Sequence, residues 1–243
     1  MSYITDILKS ISHRPWDLPE GSWSYYQEWN KALFLHYMIP AEVLIPLIPK
    51  NLELDLYEGK AWISVVAFRM EKIRPRGFPA IPPISNFLET NVRTYVKKGS
   101  KQGVFFLNIE AEKSLSAFIS KRLSGLPYEK STMLSSANNN LITIKSFNNA
   151  KGYRFDTSFR IEDTVQVKGD LDLWLTERYC LYLERKGRIF RYEIHHAKWP
   201  IKNVKLRHLD INYKIHGLEI TSNPDLIHYS EGVRVLAWSC EAC

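Results

Sequence analysis

The sequence has few cysteines and no long apolar run. Its three cysteines among 243 residues are too few, and odd in number, for a secreted disulfide framework, which favours a reducing, cytoplasmic location. No stretch approaches the roughly 18 apolar residues of a membrane span, and the first residues lack the basic segment and apolar core of a signal peptide. We therefore expect a soluble cytoplasmic protein without membrane contact.

Sequence motifs of several enzyme classes are also missing. There is no phosphate-binding loop, no G-x-G-x-x-G, no G-x-S-x-G and no H-E-x-x-H, so nucleotide-dependent, α/β-hydrolase and zinc-peptidase classes have no support. The pair Cys240 and Cys243 has no second pair to complete a zinc site. The adjacent His195 and His196 point to opposite faces of an extended chain. We expect neither a metal nor a cofactor.

The composition is that of an ordinary globular protein. Hydrophobic residues make up 45% of the chain and charged residues 24%, which allows a sizeable core. Aromatic residues reach 13%, and strands are enriched in aromatic side chains. No internal repeat or low-complexity linker divides the chain, so we expect a single domain over residues 1–243.

The formal net charge of +7 raises the question of an anionic partner such as nucleic acid. The basic residues are dispersed, and the densest group, between Lys198 and Arg207, is loose. Nucleic-acid-binding domains usually have a compact basic stripe or a recognisable module. We therefore favour a solvated basic surface and expect no nucleic-acid partner.

Alternating hydrophobic patterns predict a chain made mainly of strands. They cover residues 52–57, 61–70, 87–96, 103–109, 140–147, 153–161, 171–184, 187–194 and 232–239. This order predicts an α+β fold, mainly antiparallel β, whose body is a β-barrel or a strongly curved sheet with a few helices.

The remaining segments differ from this pattern. A helix is predicted over residues 114–124, and one helical turn after Pro40. Residues 1–30 are expected to be irregular. Residues 71–86 are rich in proline and glycine, and we expect a long ordered loop that covers the mouth of a pocket.

Polar residues interrupt the apolar face of three predicted strands. In residues 171–183 the core face is leucine-rich, with Glu177 at its centre, and a buried carboxylate needs a partner or a raised pKa. In residues 87–96 one face carries Glu89, Asn91, Arg93 and Tyr95, which either contact water or line a polar cavity.

Arg69 ends an apolar face of residues 61–70 and is a candidate to point inward. The hypothesis is an interior cluster in which Glu177 pairs with Arg93 or Arg69. The alternative, held at equal weight, is a structural ion pair that fixes strand register.

Several short sequence blocks are specific enough to indicate a family. They include Asn-Val-Arg-Thr-Tyr at 91–95, Leu-Thr-Glu-Arg-Tyr at 175–179, His-Arg-Pro-Trp at 13–16 and Leu-Pro-Tyr at 126–128. These blocks resemble the YqjF-like family of uncharacterised bacterial proteins, a domain of unknown function. That family is similar to acetoacetate decarboxylase in fold, which implies an antiparallel barrel enclosing a cavity.

The resemblance also implies a candidate nucleophile. Acetoacetate decarboxylase forms a Schiff base between a lysine of lowered pKa and a keto acid. Lys121 follows a comparable Ser-Ala-Phe stretch, but helical spacing puts it opposite the apolar side of the predicted helix, and an exposed lysine is a poor nucleophile. The Pro-Lys-Lys motif of the decarboxylase is absent.

The first functional hypothesis is therefore a barrel that binds a small anionic molecule through arginine forks. The candidate ligand-binding residues are Arg69, Glu89, Asn91, Arg93, Tyr95, Glu177 and Tyr179. The alternatives are a keto-acid lyase acting through Lys121 or another buried lysine, and a non-enzymatic module that binds nucleic acid or protein. Whether the protein is an enzyme stays open, with Glu177 as the acid–base candidate. A homo-oligomer is also left open.

Overall fold

The computed structural model describes residues 3–112, 126, 128–164 and 167–243, and most of them lie in strands. The strands in chain order are β1 (Tyr25–Ile39), β2 (Glu53–Leu54), β3 (Ala61–Pro75), β4 (Phe87–Lys98), β5 (Lys101–Ala111), β6 (Tyr128–Lys130), β7 (Thr132–Asn138), β8 (Leu141–Asn148), β9 (Tyr153–Thr164), β10 (Cys180–Arg185), β11 (Arg188–His196), β12 (Ile201–Ile215), β13 (Leu218–Ile220), β14 (Leu226–Ala237) and β15 (Glu241–Ala242). The helices are α1 (Tyr3–Lys9), α2 (Ala41–Leu44) with a 3₁₀ turn at Ile45–Leu47, α3 (Pro82–Ser85) and α4 (Asp170–Thr176).

The strands form one curved sheet. Its order is β15-β11-β10-β5-β4-β3-β1-β14-β12-β9-β8-β7. Pairing is antiparallel except where β5 meets β6 and β10, and a short extra pairing joins β11 to β14. The predicted class, mainly antiparallel β with few helices, is confirmed, and its form is one strongly curved sheet.

The central strands are buried on both faces, which explains their nearly continuous apolar sequence. On one face of β3, Ile63 and Val65 join a large core with Leu33 of β1. On the other face, Val66 and Phe68 belong to a second cluster. This second face of the sheet borders the cavity described below.

Two regions that lacked a strand or helix prediction are ordered elements. Residues 1–30 were expected to be irregular, but α1 packs Ile4 and Ile7 against Tyr26, and β1 begins at Tyr25. Likewise, β12 occupies most of the loose basic segment, where exposed Lys205 alternates with half-buried Leu206. The basic residues are therefore the solvent side of an amphipathic strand.

The segment 71–86 is more regular than predicted. Strand β3 continues to Pro75, the last strand position, where a missing N–H is tolerated. Helix α3 begins at Pro82, whose fixed φ suits a first helical position. The predicted turn after Pro40 is present as α2, whereas the helix predicted over 114–124 lies outside the described residues.

The strand predicted over residues 171–184 is wrong in its first half. Residues 170–176 form α4, where the backbone N–H of Gly169 donates to Oδ2 of Asp172 at 2.9 Å. Leu171, Trp174 and Leu175 pack into one cluster, as i, i+3 and i+4 positions of a helix do. The leucines alternate as in a strand, but together with Trp174 they also provide helical spacing, and the N-terminal cap favours the helix.

Candidate ligand-binding cavity

A cavity of about 340 Å³ lies against the second face of the central strands. Its walls come from strands β1, β3, β4, β5, β10 and β11, from the chain just after α4 and from the loop around α3. Most of the lining is apolar, including Trp29, Phe34, Phe68, Met70 and Trp199. This size and composition are typical of a small-molecule site, in which a few polar groups orient the ligand.

Arg93 is the most informative polar group of the cavity. Its side chain extends from the middle of β4, and the residue is 9% exposed. Its Nε and Nη2 atoms are buried and have no hydrogen-bond partner among the described residues, and its guanidinium lies 5.7 Å from the ring centre of Phe34. Burying a guanidinium with unpaired nitrogens has a large desolvation cost. Arg93 therefore does not stabilise the fold, which makes it a candidate to bind a ligand.

A second guanidinium, that of Arg178, also lines the cavity. Its Nη1 donates to Oδ2 of Asp55 at 2.6 Å and its Nε to the carbonyl of Trp174 at 2.6 Å. Its Nη2 atom is buried and has no partner in the described part of the chain. Burial lowers the pKa of Arg178, Asp55 opposes that effect, and the positive charge of Arg93 lowers the pKa further. Asp55 thus pairs with Arg178, and no described carboxylate forms an ion pair with Arg93, whose positive charge is left uncompensated.

Glu89 and Asn91 precede Arg93 on the same face of β4 and line the same cavity. Nδ2 of Asn91 donates to Oε1 of Glu89 at 3.0 Å, and the hydroxyl of Tyr128 donates to Oε2 at 2.9 Å. Burial raises the pKa of Glu89 to about 7, with the two hydrogen bonds opposing. The carboxyl can therefore lose or gain a proton near neutral pH. Oδ1 of Asn91 is buried, and no described residue donates to it.

Arg69, a predicted ligand residue, lies away from this cavity. It neighbours Phe68 on β3, so its side chain leaves the opposite face of the strand, beside a minor cavity near Thr90. The expectation that Arg69 points into the site is therefore wrong.

Tyr95 and Tyr179 also lie outside the lining. The hydroxyl of Tyr95 is 2.5 Å from Oγ of Ser64 and donates to the carbonyl of Leu175 at 3.0 Å. The aromatic ring of Tyr179 packs among the rings of His13, Trp16 and His196. Both tyrosines thus support the walls without reaching the cavity.

The predicted pairing of Glu177 with Arg93 or Arg69 is wrong. Glu177 follows the last residue of α4 and accepts hydrogen bonds from Nζ of Lys168 at 2.6 Å, the hydroxyl of Tyr179 at 2.8 Å and the backbone N–H of Trp199 at 3.0 Å.

The acid–base role predicted for Glu177 loses its basis as well. Burial alone would raise its pKa, but His196 and Lys168 lower it below the ordinary value. The carboxylate thus remains ionised in an ion pair with Lys168. Neither residue lies in a strand, so this pair does not fix strand register as the alternative expected.

Lys121, the predicted Schiff-base candidate, lies outside the described residues. No lysine is present among the described residues that line the cavity. Within the described ranges, no three His, Cys, Asp or Glu side chains come close enough together to hold a metal ion. The described helices include none that is long and apolar enough to cross a membrane.

A chain of buried polar groups runs behind Arg93. In the register of β3 with β4, Ser64 is opposite Arg93, and its hydroxyl is 2.6 Å from Nδ1 of His36. Nε2 of His36 is 3.2 Å from Nδ1 of His228, whose Nε2 is 3.1 Å from Oδ1 of Asp172. Burial lowers the pKa of His36 well below its ordinary value, and His228 and Arg93 add to the effect.

Sequence reasoning missed Arg178 and Tyr128. Arg178 lies in the Leu-Thr-Glu-Arg-Tyr block at 175–179. The predicted strand has Glu177 on its core face, and alternation then puts Arg178 on the opposite face. Tyr128 lies in the Leu-Pro-Tyr block at 126–128. No periodicity in that block indicated that its hydroxyl would meet Glu89.

Comparison with known proteins confirms the family resemblance. Residues 26–234 match the model of the DUF2071 family, described as an uncharacterized conserved protein. The uncharacterized protein YqjF of Bacillus subtilis (strain 168) is 34% identical over 226 residues, which cover 91% of this chain and 93% of YqjF.

Solved structures show the same fold at low identity. Acetoacetate decarboxylase from Legionella pneumophila matches with a TM-score of 0.62 and 12% identity, over 98% of this chain and 94% of that one. The enduracididine biosynthesis enzyme MppR, complexed with pyruvate, matches with a TM-score of 0.63 and 8% identity, over 94% of this chain and 93% of that one. At these identities the likeness concerns the fold alone.

Proposed function

This chain belongs to the DUF2071 family of uncharacterized conserved proteins, and we propose that it binds an organic carboxylate in the cavity through Arg93. The observation that carries the proposal is the guanidinium of Arg93, which is buried, lines the cavity and has two nitrogens that no described residue pairs. A carboxylate matches the planar donor fork of arginine and would offset the cost of burying the charge.

The neighbouring groups suit the same ligand. Nη2 of Arg178 supplies a second donor, and Asp55 neutralises only one of the two cations. The aromatic rings of Phe34 and Trp199, with their centres 5.1 Å apart, make this part of the cavity apolar, and a low dielectric strengthens a charge-assisted hydrogen bond. When Glu89 is protonated, the net attraction is therefore for a single negative charge.

Glu89 is the group in this cavity that is suited to move a proton. A general acid or base works best when its pKa is near the working pH, and burial places the pKa of Glu89 at about 7. Glu89 thus takes the acid–base role that the sequence assigned to Glu177, should the bound acid undergo chemistry.

The fold neighbours indicate which acids to test first. MppR has been solved with pyruvate, and acetoacetate decarboxylase shares the fold. The first ligands are therefore pyruvate and acetoacetate, each compared with its neutral amide in isothermal titration calorimetry. We expect the acids to bind and the amides to bind at least about tenfold more weakly, which corresponds to losing one charge-assisted hydrogen bond.

Two matched variants test the role of Arg93. Arg93→Met should abolish binding, whereas Arg69→Met, which removes the same type of side chain from the opposite face of β3, should leave the dissociation constant unchanged. If neither these acids nor carboxylates with a longer chain bind, or if both variants bind as the parent protein does, the proposal is wrong.

Covalent chemistry has a separate test. Borohydride treatment in the presence of pyruvate, followed by mass spectrometry, traps a lysine Schiff base. Because no described lining residue is a lysine, we expect no adduct. An adduct mapped to Lys121 would favour the alternative of a keto-acid lyase over non-covalent binding.

A further inference from the structure

We infer that the carboxylate ligand carries an apolar tail, an aromatic ring or an alkyl chain of about six carbons or more, which extends from Arg93 toward the loop around α3. This inference rests on the proposed function and adds the class of acid. It depends on where the polar and apolar lining residues lie along the strands.

The strand register defines the direction of the cavity. Asn91 is opposite Val66, and Glu89 is opposite Phe68. The polar residues of β4 that line the cavity therefore lie beside only the first lining residues of β3. The lining of β3 then continues to Pro75. The stretch from Val66 to Pro75 spans at most roughly 30 Å of extended chain. The cavity is therefore elongated, with its buried cation at one end.

Beyond Glu89 the walls are mainly aromatic and aliphatic. The polar side chains of Gln27 and Ser85 also line this end, and they already accept hydrogen bonds from Trp29 and from the backbone of Ile81. The rings of Trp29 and Trp199 stack with their centres 6.1 Å apart, and Trp29 lies 6.0 Å from Phe68. Met70 and Ile73 continue the wall on β3. A polar or very short acid would leave these surfaces without a partner, whereas an apolar tail would cover them and gain from leaving water.

Arg74 is the one arginine among the described lining residues at this far end, and its charge is already engaged. Its guanidinium lies 4.1 Å from the ring centre of Tyr26, and it donates to the hydroxyl of Tyr3 at 2.6 Å and to the carbonyl of Lys72 at 3.2 Å. The acid head group therefore belongs at Arg93, where no described residue occupies Nε and Nη2.

The loop between β3 and α3 forms the outer end of the cavity. Ile81 lines the cavity and is 53% exposed, and the neighbouring Phe78 is 66% exposed. Large apolar side chains at a rim favour a ligand whose tail ends there, since the tail removes them from water. The acid head consequently enters first and the tail fills the path behind it.

A chain-length series tests this inference. Calorimetric titration with butanoate, hexanoate, octanoate and 3-phenylpropanoate should show affinity rising about fourfold per added methylene until the cavity is filled. Octanamide, which lacks the charge, should bind at least about tenfold more weakly than octanoate. Ile81→Asn should weaken octanoate about threefold or more and leave butanoate unchanged.

The outcomes separate the two proposals. If butanoate and pyruvate bind as tightly as octanoate, the inference of an apolar tail is wrong, and the proposal of carboxylate binding stands. If none of the acids binds, both proposals fail. If Arg93→Met binds octanoate as well as the parent protein does, the affinity reflects unspecific apolar adsorption, and this result also overturns both.

Discussion

Nδ1 of His36 lies 2.6 Å from the hydroxyl oxygen of Ser64, at the strand position opposite Arg93. Because His36 is wholly buried and has a cation beside it, protonation of its ring is opposed by burial, by His228 and by Arg93, in that order. The imidazole of His36, behind Arg93 at the cationic end of the cavity, is therefore neutral. A second charge at His36 would add to the unpaired charge of Arg93.

This arrangement predicts loss of stability in acid. A histidine whose pKa is lowered in the fold binds its proton more readily in the unfolded chain, so its contribution is present above about pH 6.5 and is lost as pH falls toward the folded pKa. His36 acts in this direction, and so does His195, whose pKa is lowered to about 4 by burial. We expect the free energy of unfolding in urea to fall between about pH 6.5 and 4, by up to about 1.4 kcal/mol per pH unit for each imidazole.

A histidine variant isolates this effect. In His36→Gln the free energy of unfolding should fall less steeply over the same acid range, whatever the change in stability at neutral pH. His208→Gln, at an exposed position of β12, should reproduce the slope of the parent protein. Equal slopes for the parent and His36→Gln would show that His36 is not held neutral.

Without added ligand, Arg93 should lower the stability of the protein. Removing a buried charge that no described residue pairs relieves its desolvation penalty, so Arg93→Met should raise the free energy of unfolding at neutral pH by about 1–3 kcal/mol. Arg178→Met removes the partner of buried Asp55 and should instead lower it by about 3–5 kcal/mol. Urea titration of both variants checks the contrast, and a destabilised Arg93→Met would mean that Arg93 serves the fold.

The sequence predicted the strand that carries the polar cluster because β4 alternates cleanly. Glu89, Asn91 and Arg93 share one face in the pattern and line one cavity in the structure. The helical turn after Pro40 was predictable for a similar reason, since a proline fixes the geometry next to it. Local rules were sufficient for both elements.

The remaining errors concern choices that only tertiary contacts make. Before Glu177 the leucines alternate as in a strand, while Leu171, Trp174 and Leu175 have helical spacing. In the helix these three side chains pack against Trp62 and Tyr95. The prediction put Arg69 on the wrong face of β3. Both faces of this strand are apolar, so sequence alternation does not say which face borders the cavity. The partner of a buried charge, Lys168 for Glu177, comes from a loop that no periodicity describes.

Gly103 should be intolerant of any side chain. It lies where β5 meets β10 in parallel pairing, and a Cβ atom there would be 2.5 Å from the carbonyl oxygen of Cys180. Because a backbone atom cannot give way, Gly103→Ala should lower the free energy of unfolding by about 1–3 kcal/mol and weaken ligand binding by shifting β10.

Gly169→Ala provides the comparison for Gly103. The nearest atom to its added Cβ would be Oδ2 of Asp172, at 3.7 Å, which is an ordinary contact distance. Chemical denaturation should show a change below about 1 kcal/mol for this variant. A Gly103→Ala protein as stable as the parent would contradict the close approach of β5 and β10.

Glu89→Gln should stabilise the protein in alkali. Burial raises the pKa of Glu89 from 4.5 to about 7, so the unfolded chain releases the proton first. The contribution of this group to stability is present below the unfolded pKa and is lost as pH rises through the folded pKa. The glutamine, which cannot ionise, should therefore make the protein more stable than the parent at about pH 8, by up to about 3 kcal/mol, and similar near the unfolded pKa. Urea unfolding of the variant and the parent at these two pH values measures the difference in the free energy of unfolding. Glu162→Gln, at an exposed position, is the control, for which we expect no difference.

The proton on Glu89 should also govern ligand binding. An ionised Glu89 adds a negative charge to the cavity that Arg93 lines, and a like charge repels a bound carboxylate. Because the pKa of Glu89 is about 7, octanoate should bind the parent protein more weakly one pH unit above that value than one unit below it. Glu89→Gln should bind octanoate equally under both conditions in the same calorimetric titration. A parent affinity that does not change with pH would place the bound carboxylate beyond the reach of Glu89.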